Sequence, residues 1–381
     1  MAELTLTPDE AAHEARVLDL VRARIAAAGG ALPFADFMAL ALYAPGLGYY
    51  SAGARKFGAG GDFTTAPELS PLFGRCLARQ CREVLAVTGG AILEFGAGTG
   101  ALAATVLAAL ADMRALPERY LILEVSADLR SRQQMRIAQL PSALAGRVEW
   151  LDRLPDEPLA GVVLANEVLD ALPCERFVVR GGEAHRLGVA VDARGALEAV
   201  ELATTLALPA GIDGAALPEG YHGELRPSIA PWIGSAAAAL GHGLLLACDY
   251  GDARAPLYHA DRIDGTLLCH FRHRAHGNPF IHVGLQDITA WVDFTAVAEA
   301  ASAAGLEVAG FATQAALLLA LGIERDVAAV PDERTRYARA TEARQLLLPT
   351  AMGESFKAIA LTRGLDAALS GFSLQDLRHR L

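Results

Sequence analysis

The run Ala91-Ile92-Leu93-Glu94-Phe95-Gly96-Ala97-Gly98-Thr99-Gly100, followed by Ala101-Leu102-Ala103-Ala104-Thr105, constrains the fold more than any other part of the chain. A short apolar run ends in an acid, glycines recur at every second position, and a helix-forming run begins at Ala101. That pattern predicts a strand, a tight turn and a helix N-terminus. The glycines allow a sharp turn and a close approach of ligand to backbone, and the N–H groups of the first helical turn favour an anionic group. A nucleotide-like ligand is the natural occupant.

Gly96, Gly98 and Ala101 also satisfy the loose dinucleotide pattern G-x-G-x-x-[G/A], and glycine turns also occur for structural reasons alone. Two further residues discriminate. Glu94 stands two residues before the first glycine, where a carboxylate can hold the amino end of an amino-acid-like ligand and would repel a pyrophosphate. Tyr120 to Leu123 is a second apolar run ending in Glu124, the place for an acid that takes both ribose hydroxyls. Acid, glycine turn and second acid together resemble the S-adenosylmethionine site of class I methyltransferases. Glu94, Gly96, Ala97, Gly98, Gly100, Glu124 and Val125 are then the expected cofactor-binding residues.

The chain of 381 residues is 53% hydrophobic and 20% charged, enough to bury a full core in one large domain or two ordinary ones. Its 33 basic and 44 acidic residues give a net charge of −11, which disfavours a nucleic-acid substrate and any general attraction to anionic lipid. Cys76, Cys81, Cys174, Cys248 and Cys269 are scattered, odd in number and without a C-x-x-C pair, which points to reduced thiols and away from a zinc framework. No apolar run approaches the roughly 20 residues of a membrane span, and no signal peptide is evident. The expectation is a soluble, cytoplasmic protein; composition leaves its oligomeric state open.

Read in order, Thr7, Pro8 and Glu10 open a helix that can run to Ala28, and a second helix covers Pro33 to Tyr43. A glycine-rich loop leads to Gly61-Asp62-Phe63-Thr64-Thr65-Ala66-Pro67-Glu68, in which Asp62, Phe63 and Thr65 are expected to belong to an ordered lid over the cofactor. After the glycine turn, Ser126 caps a basic helix, and Asp152 follows a third strand, Val148 to Leu151, where it can accept from an adenine amino group. Gly161 to Ala165 is a fully apolar, and so central, strand. Asn166, Glu167 and Asp170 stand at its carboxyl end, the side of an open α/β sheet on which ligands bind.

From Cys174 to about Arg226 the pattern changes to short β-rich runs, expected to form an inserted antiparallel sheet. Leu244 to Cys248 is a fifth strand, capped at the ligand end by Asp249-Tyr250-Gly251. His270, His273, His276 and His282 cluster with Arg272 and Arg274; without cysteine pairs or an H-E-x-x-H helix, ion pairing or substrate contact is the expected role rather than metal. The expected organisation is N-terminal helices and lid over 1–88, the first part of the methyltransferase domain over 89–173, an inserted substrate region over 174–227, and the second part with the C-terminal helices over 228–381.

Taken together, Gly48-Tyr49-Tyr50, Gly61 to Thr65 with Pro67-Glu68, Glu94 to Gly100, Glu124-Val125-Ser126, Asn166-Glu167 with Asp170 to Pro173, Asp249-Tyr250-Gly251, Asp287-Ile288-Thr289 with Val292-Asp293-Phe294, and Met352-Gly353-Glu354 resemble the MidA-like methyltransferase family. The resemblance implies an α/β fold with a seven-stranded, Rossmann-like class I sheet and S-adenosyl-L-methionine as donor, leaving S-adenosyl-L-homocysteine. By analogy with the family's mitochondrial complex I assembly member, it also implies a protein arginine as acceptor, such as one on a respiratory-complex subunit. A small-molecule methyltransferase, or a cofactor-binding assembly factor with vestigial catalysis, remains an alternative. An arginine guanidinium, with a pKa above about 12, needs carboxylates that orient it and accept a proton. If a helical turn follows Asn166, Glu167 and Asp170 share a face and can clamp it.

Overall fold

The computed structural model describes residues 5–52 and 64–381, and the chain divides into two compact units. One unit comprises Thr64–Asp170, Ile229–Ala253 and Val292–Leu381. It is built on a mixed sheet whose main strands, in chain order, are β1 (Ala91–Phe95), β2 (Tyr120–Leu123), β3 (Val148–Leu151), β4 (Leu159–Asn166), β5 (Leu240–Asp252), β6 (Glu307–Thr313) and β7 (Phe356–Arg363). Their spatial order is β3-β2-β1-β4-β5-β7-β6, with the short strand Val292–Asp293 pairing parallel to the end of β5. The first five are mutually parallel, while β7 runs antiparallel to both β5 and β6. This is the class I methyltransferase arrangement, and its strand order reverses between β1 and β4, where an open α/β sheet binds its ligand.

The central strands are apolar nearly throughout because both faces are covered. One face, including Ile92, Val162, Leu164, Leu244, Leu246 and Ala358, joins the core formed with helices Pro71–Thr88 and Ala101–Asp112. Ser70 starts the first of these helices by accepting the Leu72 N–H, with Pro71 at the first helical position. The alternate residue Phe95 faces the other way, its ring centroid 4.9 Å from that of Trp232 in the helix Ile229–Ala239. Strand alternation therefore places Glu94 on the same face as Ile92.

The second unit comprises the described residues before 53, together with Ala171–Ser228 and Arg254–Trp291. Its first helix, Pro8–Ala27, carries the expected capping box between Thr7 and Glu10. The β-rich region is an antiparallel sheet in which Glu183–Val191 pairs with Glu175–Arg180, Leu197–Leu206 and Ala31–Pro33, and Glu175–Arg180 pairs with His222–Leu225. Phe37, Met38, Leu42, Tyr49 and Val189 lie in its core. Residues 254–291 group with this unit, although sequence alone places them in the second part of the methyltransferase domain. Asp62 and Phe63 lie outside the described residues. Among those described, no helix is long and apolar enough to cross a membrane, and all five cysteines are buried and unpaired.

Candidate functional site

The glycine turn leaves β1 with Gly96, Gly98 and Gly100 at φ of 59°, 53° and 83°, a region that a β-branched side chain resists. Gly100 is the N-cap of helix Ala101–Asp112 and has no side chain to cap it, and no side-chain cap is present among the described residues. Its first-turn N–H groups are thus available to a ligand. Beside the turn, β2 ends at Leu123 and delivers Glu124, buried to 7% exposure, and Val125, which is 84% exposed. An apolar residue left in solvent directly after a buried acid suits the face of a base, with the acid turned to the sugar. The chemistry of these donors and surfaces fits S-adenosylmethionine.

Glu124 is held from two sides. Its Oε1 accepts the Ser126 N–H at 2.8 Å and its Oε2 accepts the Gln133 side-chain amide at 3.0 Å. Sequence reasoning missed Gln133 inside the basic helix Ala127–Ile137, where its spacing of four from Leu129 and Ile137 puts it on the buried face and is the signal that marks it. It also missed Glu68, which binds the Thr99 hydroxyl in the glycine turn and lies 3.4 Å from the Arg136 guanidinium. Thr65 is the N-cap of the short helix Ala66–Leu69 that carries Glu68. Asp152 pairs with Arg130 at 2.7 Å and is otherwise open to solvent.

Glu94 is 3% exposed, and its Oε2 accepts the buried Tyr120 hydroxyl at 2.6 Å. Burial pushes its carboxyl up to about 7; the Tyr120 hydrogen bond opposes this and the charge of Glu124 adds to it. The carboxyl expected to hold an amino group is therefore poised to ionise beside a cation near neutral pH.

At the carboxyl end of β4 the structure departs from expectation. No helical turn follows Asn166: Glu167 adopts φ 53°, and residues 167–172 form bends and a turn. Asp249 holds this loop. Its Oδ2 accepts the successive N–H groups of Val168, Leu169 and Asp170 at 3.1, 2.8 and 3.2 Å, tying the loop to β5. Its Oδ1 accepts the Tyr250 N–H at 2.9 Å. Because β5 extends to Asp252, Asp249-Tyr250-Gly251 lies within the strand instead of capping it. Lys357 on β7 supports this strand end, its ammonium donating to the carbonyls of Gly251 and Glu354 at 3.0 and 2.6 Å.

Glu167 Oε1 accepts the Ala66 N–H at 3.1 Å and the Asn166 side-chain amide at 3.0 Å. One carboxylate thus joins the β4 loop to the segment that carries Glu68. Burial, and then the charges of Asp170 and Glu167, hold Asp249 well above the usual aspartate range. Three carboxyls therefore share one low-dielectric corner at the ligand end of β4 and β5, and added positive charge there relieves their repulsion.

In the other unit, the histidine-rich stretch forms strands Leu268–Phe271 and Arg274–His276 joined at Arg272 and His273, both at positive φ. Arg272 pairs with Glu10 at 2.6 Å, and the His282 ring stacks on Phe271 at 4.3 Å. Burial holds His270 and His276 below the usual histidine range. No group of three or more metal-ligating side chains converges among the described residues.

Residues 76–312 match the model of a family described as "Putative S-adenosyl-L-methionine-dependent methyltransferase". A crystal structure from Burkholderia thailandensis bound to S-adenosyl-homocysteine is 41% identical, each chain covering the whole of the other, with a TM-score of 0.95. Among curated proteins, the mitochondrial protein arginine methyltransferase NDUFAF7 homolog of Drosophila melanogaster is 28% identical over 91% of this chain and 85% of its own length. The human protein arginine methyltransferase NDUFAF7 is 26% identical over 87% of this chain and 80% of its own length.

Proposed function

Because the chain belongs to this family of S-adenosyl-L-methionine-dependent methyltransferases, we propose that it transfers the donor methyl to an arginine nitrogen of a protein. The observation that carries the acceptor assignment is the group of carboxyls at the carboxyl ends of β4 and β5, the buried Asp170 and Asp249 with the half-buried Glu167. The relatives named as protein arginine methyltransferases support it.

S-adenosylmethionine supplies an electrophilic methyl on a sulfonium. Glu124 takes the ribose hydroxyls, Val125 covers the base beside Asp152, and Glu94 holds the amino group. The uncapped start of helix Ala101–Asp112, reached through Gly96, Ala97, Gly98 and Gly100, takes the carboxylate. Glu167 and Asp170, steadied by Asn166 and Asp249, orient the guanidinium and lower the cost of bringing it in. As the new N–C bond forms and the C–S bond breaks, the nitrogen loses one proton, which a carboxylate of this group accepts. The methylated guanidinium remains a cation, and the sulfonium charge leaves with that proton.

The test is incubation of the enzyme and whole-cell extract with methyl-labelled S-adenosylmethionine. Label in protein that yields methylarginine on hydrolysis supports the proposal. Label confined to small molecules replaces the acceptor, and no transfer despite donor binding makes catalysis vestigial.

A further inference from the structure

Gln133 is a glutamine with no exposed surface, on the buried face of its helix between Leu129 and Ile137. Its amide uses all of its polar atoms. Nε2 donates to Gly98 O at 3.0 Å and to Glu124 Oε2 at 3.0 Å, while Oε1 accepts the indole N–H of Trp150 at 2.9 Å. Since an indole nitrogen only donates, Trp150 must face the amide oxygen, and the two acceptors must face the NH₂ group. The amide therefore has one orientation, set from β3. The fit is close: a Cβ on Gly100 would stand 3.3 Å from Gln133 Cα.

We infer that Gln133 is a positioning residue for donor recognition, holding the Glu124 carboxylate in the orientation that receives the ribose hydroxyls and locking that carboxylate to the glycine turn. One NH₂ group bridges two segments that lie far apart in sequence and serve the two ends of the donor. Fixing Gly98 O toward Gln133 also directs the Thr99 N–H the opposite way, because the two lie antiparallel across a planar trans peptide. The consequence is specificity. A carboxylate held in register discriminates a ribose diol from a deoxyribose, whereas one free to rotate pairs with water and loses the distinction. The inference rests on the donor occupying this site.

The test is calorimetric titration of the full chain with S-adenosylhomocysteine and with its 2′-deoxyribose analogue. Wild type is expected to prefer the ribose form by about tenfold or more, the range for a hydrogen bond to a charged group. In Gln133→Leu that ratio falls toward unity, as it does in Glu124→Ala, and adding Gln133→Leu to Glu124→Ala lowers it no further. Trp150→Phe, which keeps Gln133 but frees its amide to turn over, lowers the ratio by a smaller factor, and it decides the matter if Gln133→Leu does not fold. Equal weakening of both ligands with the ratio preserved, or unchanged affinities, overturns the inference and leaves Gln133 a packing residue. Failure of wild type to bind either ligand overturns the donor assignment instead.

Discussion

Replacing Glu94 by glutamine is expected to stabilise the free protein above neutral pH and to change it little in mild acid. The carboxyl is buried against Tyr120, and burial lifts it from its ordinary value near 4.5 to about 7. A carboxyl raised in the folded state favours folding while it is protonated. That contribution is complete below about 4.5 and is lost as pH rises through about 7. The displacement corresponds to roughly 3 kcal/mol at full ionisation. Glutamine keeps an oxygen for the Tyr120 hydroxyl and cannot ionise, so the variant should gain roughly 1 to 3 kcal/mol at about pH 8 and under about 1 kcal/mol at about pH 5. Urea unfolding of both proteins at the two pH values measures this. If Glu94 also holds the donor's amino group, the same variant binds S-adenosylhomocysteine more weakly while being the more stable protein, an exchange of stability for function. A stability difference independent of pH, or a variant less stable at about pH 8, would refute the reasoning.

Glu124→Ala should weaken S-adenosylhomocysteine binding by roughly 1 to 3 kcal/mol. Because it strips acceptors from the Ser126 N–H and the Gln133 amide, thermal stability should fall as well. Titration calorimetry and melting curves on one preparation separate the two effects, and an unchanged dissociation constant moves the ribose contact elsewhere. Glu167→Gln and Asp170→Asn should each retain donor binding and lose methyl transfer, since the amides keep shape but neither offset a guanidinium charge nor take its proton. Glutamine at 167 can still accept the Ala66 N–H, so the neighbouring segment stays anchored. Single-turnover transfer to an identified acceptor is the measurement; full activity in both variants removes the pair from the mechanism.

The parts of this molecule legible in its sequence are those that local physics dictates. Ile92-Leu93 before the glycines, Tyr120 to Leu123 before Glu124, and the apolar run through Val162 to Ala165 announce parallel strands, because residues buried on both sides must be apolar. Thr7 with Glu10 announces a capping box for the same local reason. The Glu167 turn was not legible. A left-handed glutamate has no sequence signature, and the loop that it opens is held from a distant strand by Asp249, which accepts the N–H groups of Val168, Leu169 and Asp170. The four-residue spacing of Gln133 from Leu129 and Ile137 marks it as buried, but its partners come from the glycine turn, the end of β2 and β3, which no local pattern shows. The grouping of residues 254–291 with the N-terminal helices depends on contacts such as Arg272 with Glu10, at a separation that no window of sequence spans.

Central to the account is that the turn from Gly96 to Gly100, read together with Glu124, is built for S-adenosylmethionine and not for a dinucleotide. The direct test is titration of the purified chain with S-adenosylhomocysteine and with NAD, repeated on Gly98→Val, where φ of 53° makes a branched side chain incompatible with the turn. Saturable binding of S-adenosylhomocysteine, lost in the folded variant, with no heat from NAD, is the predicted result. Binding of NAD with no response to S-adenosylhomocysteine would contradict it.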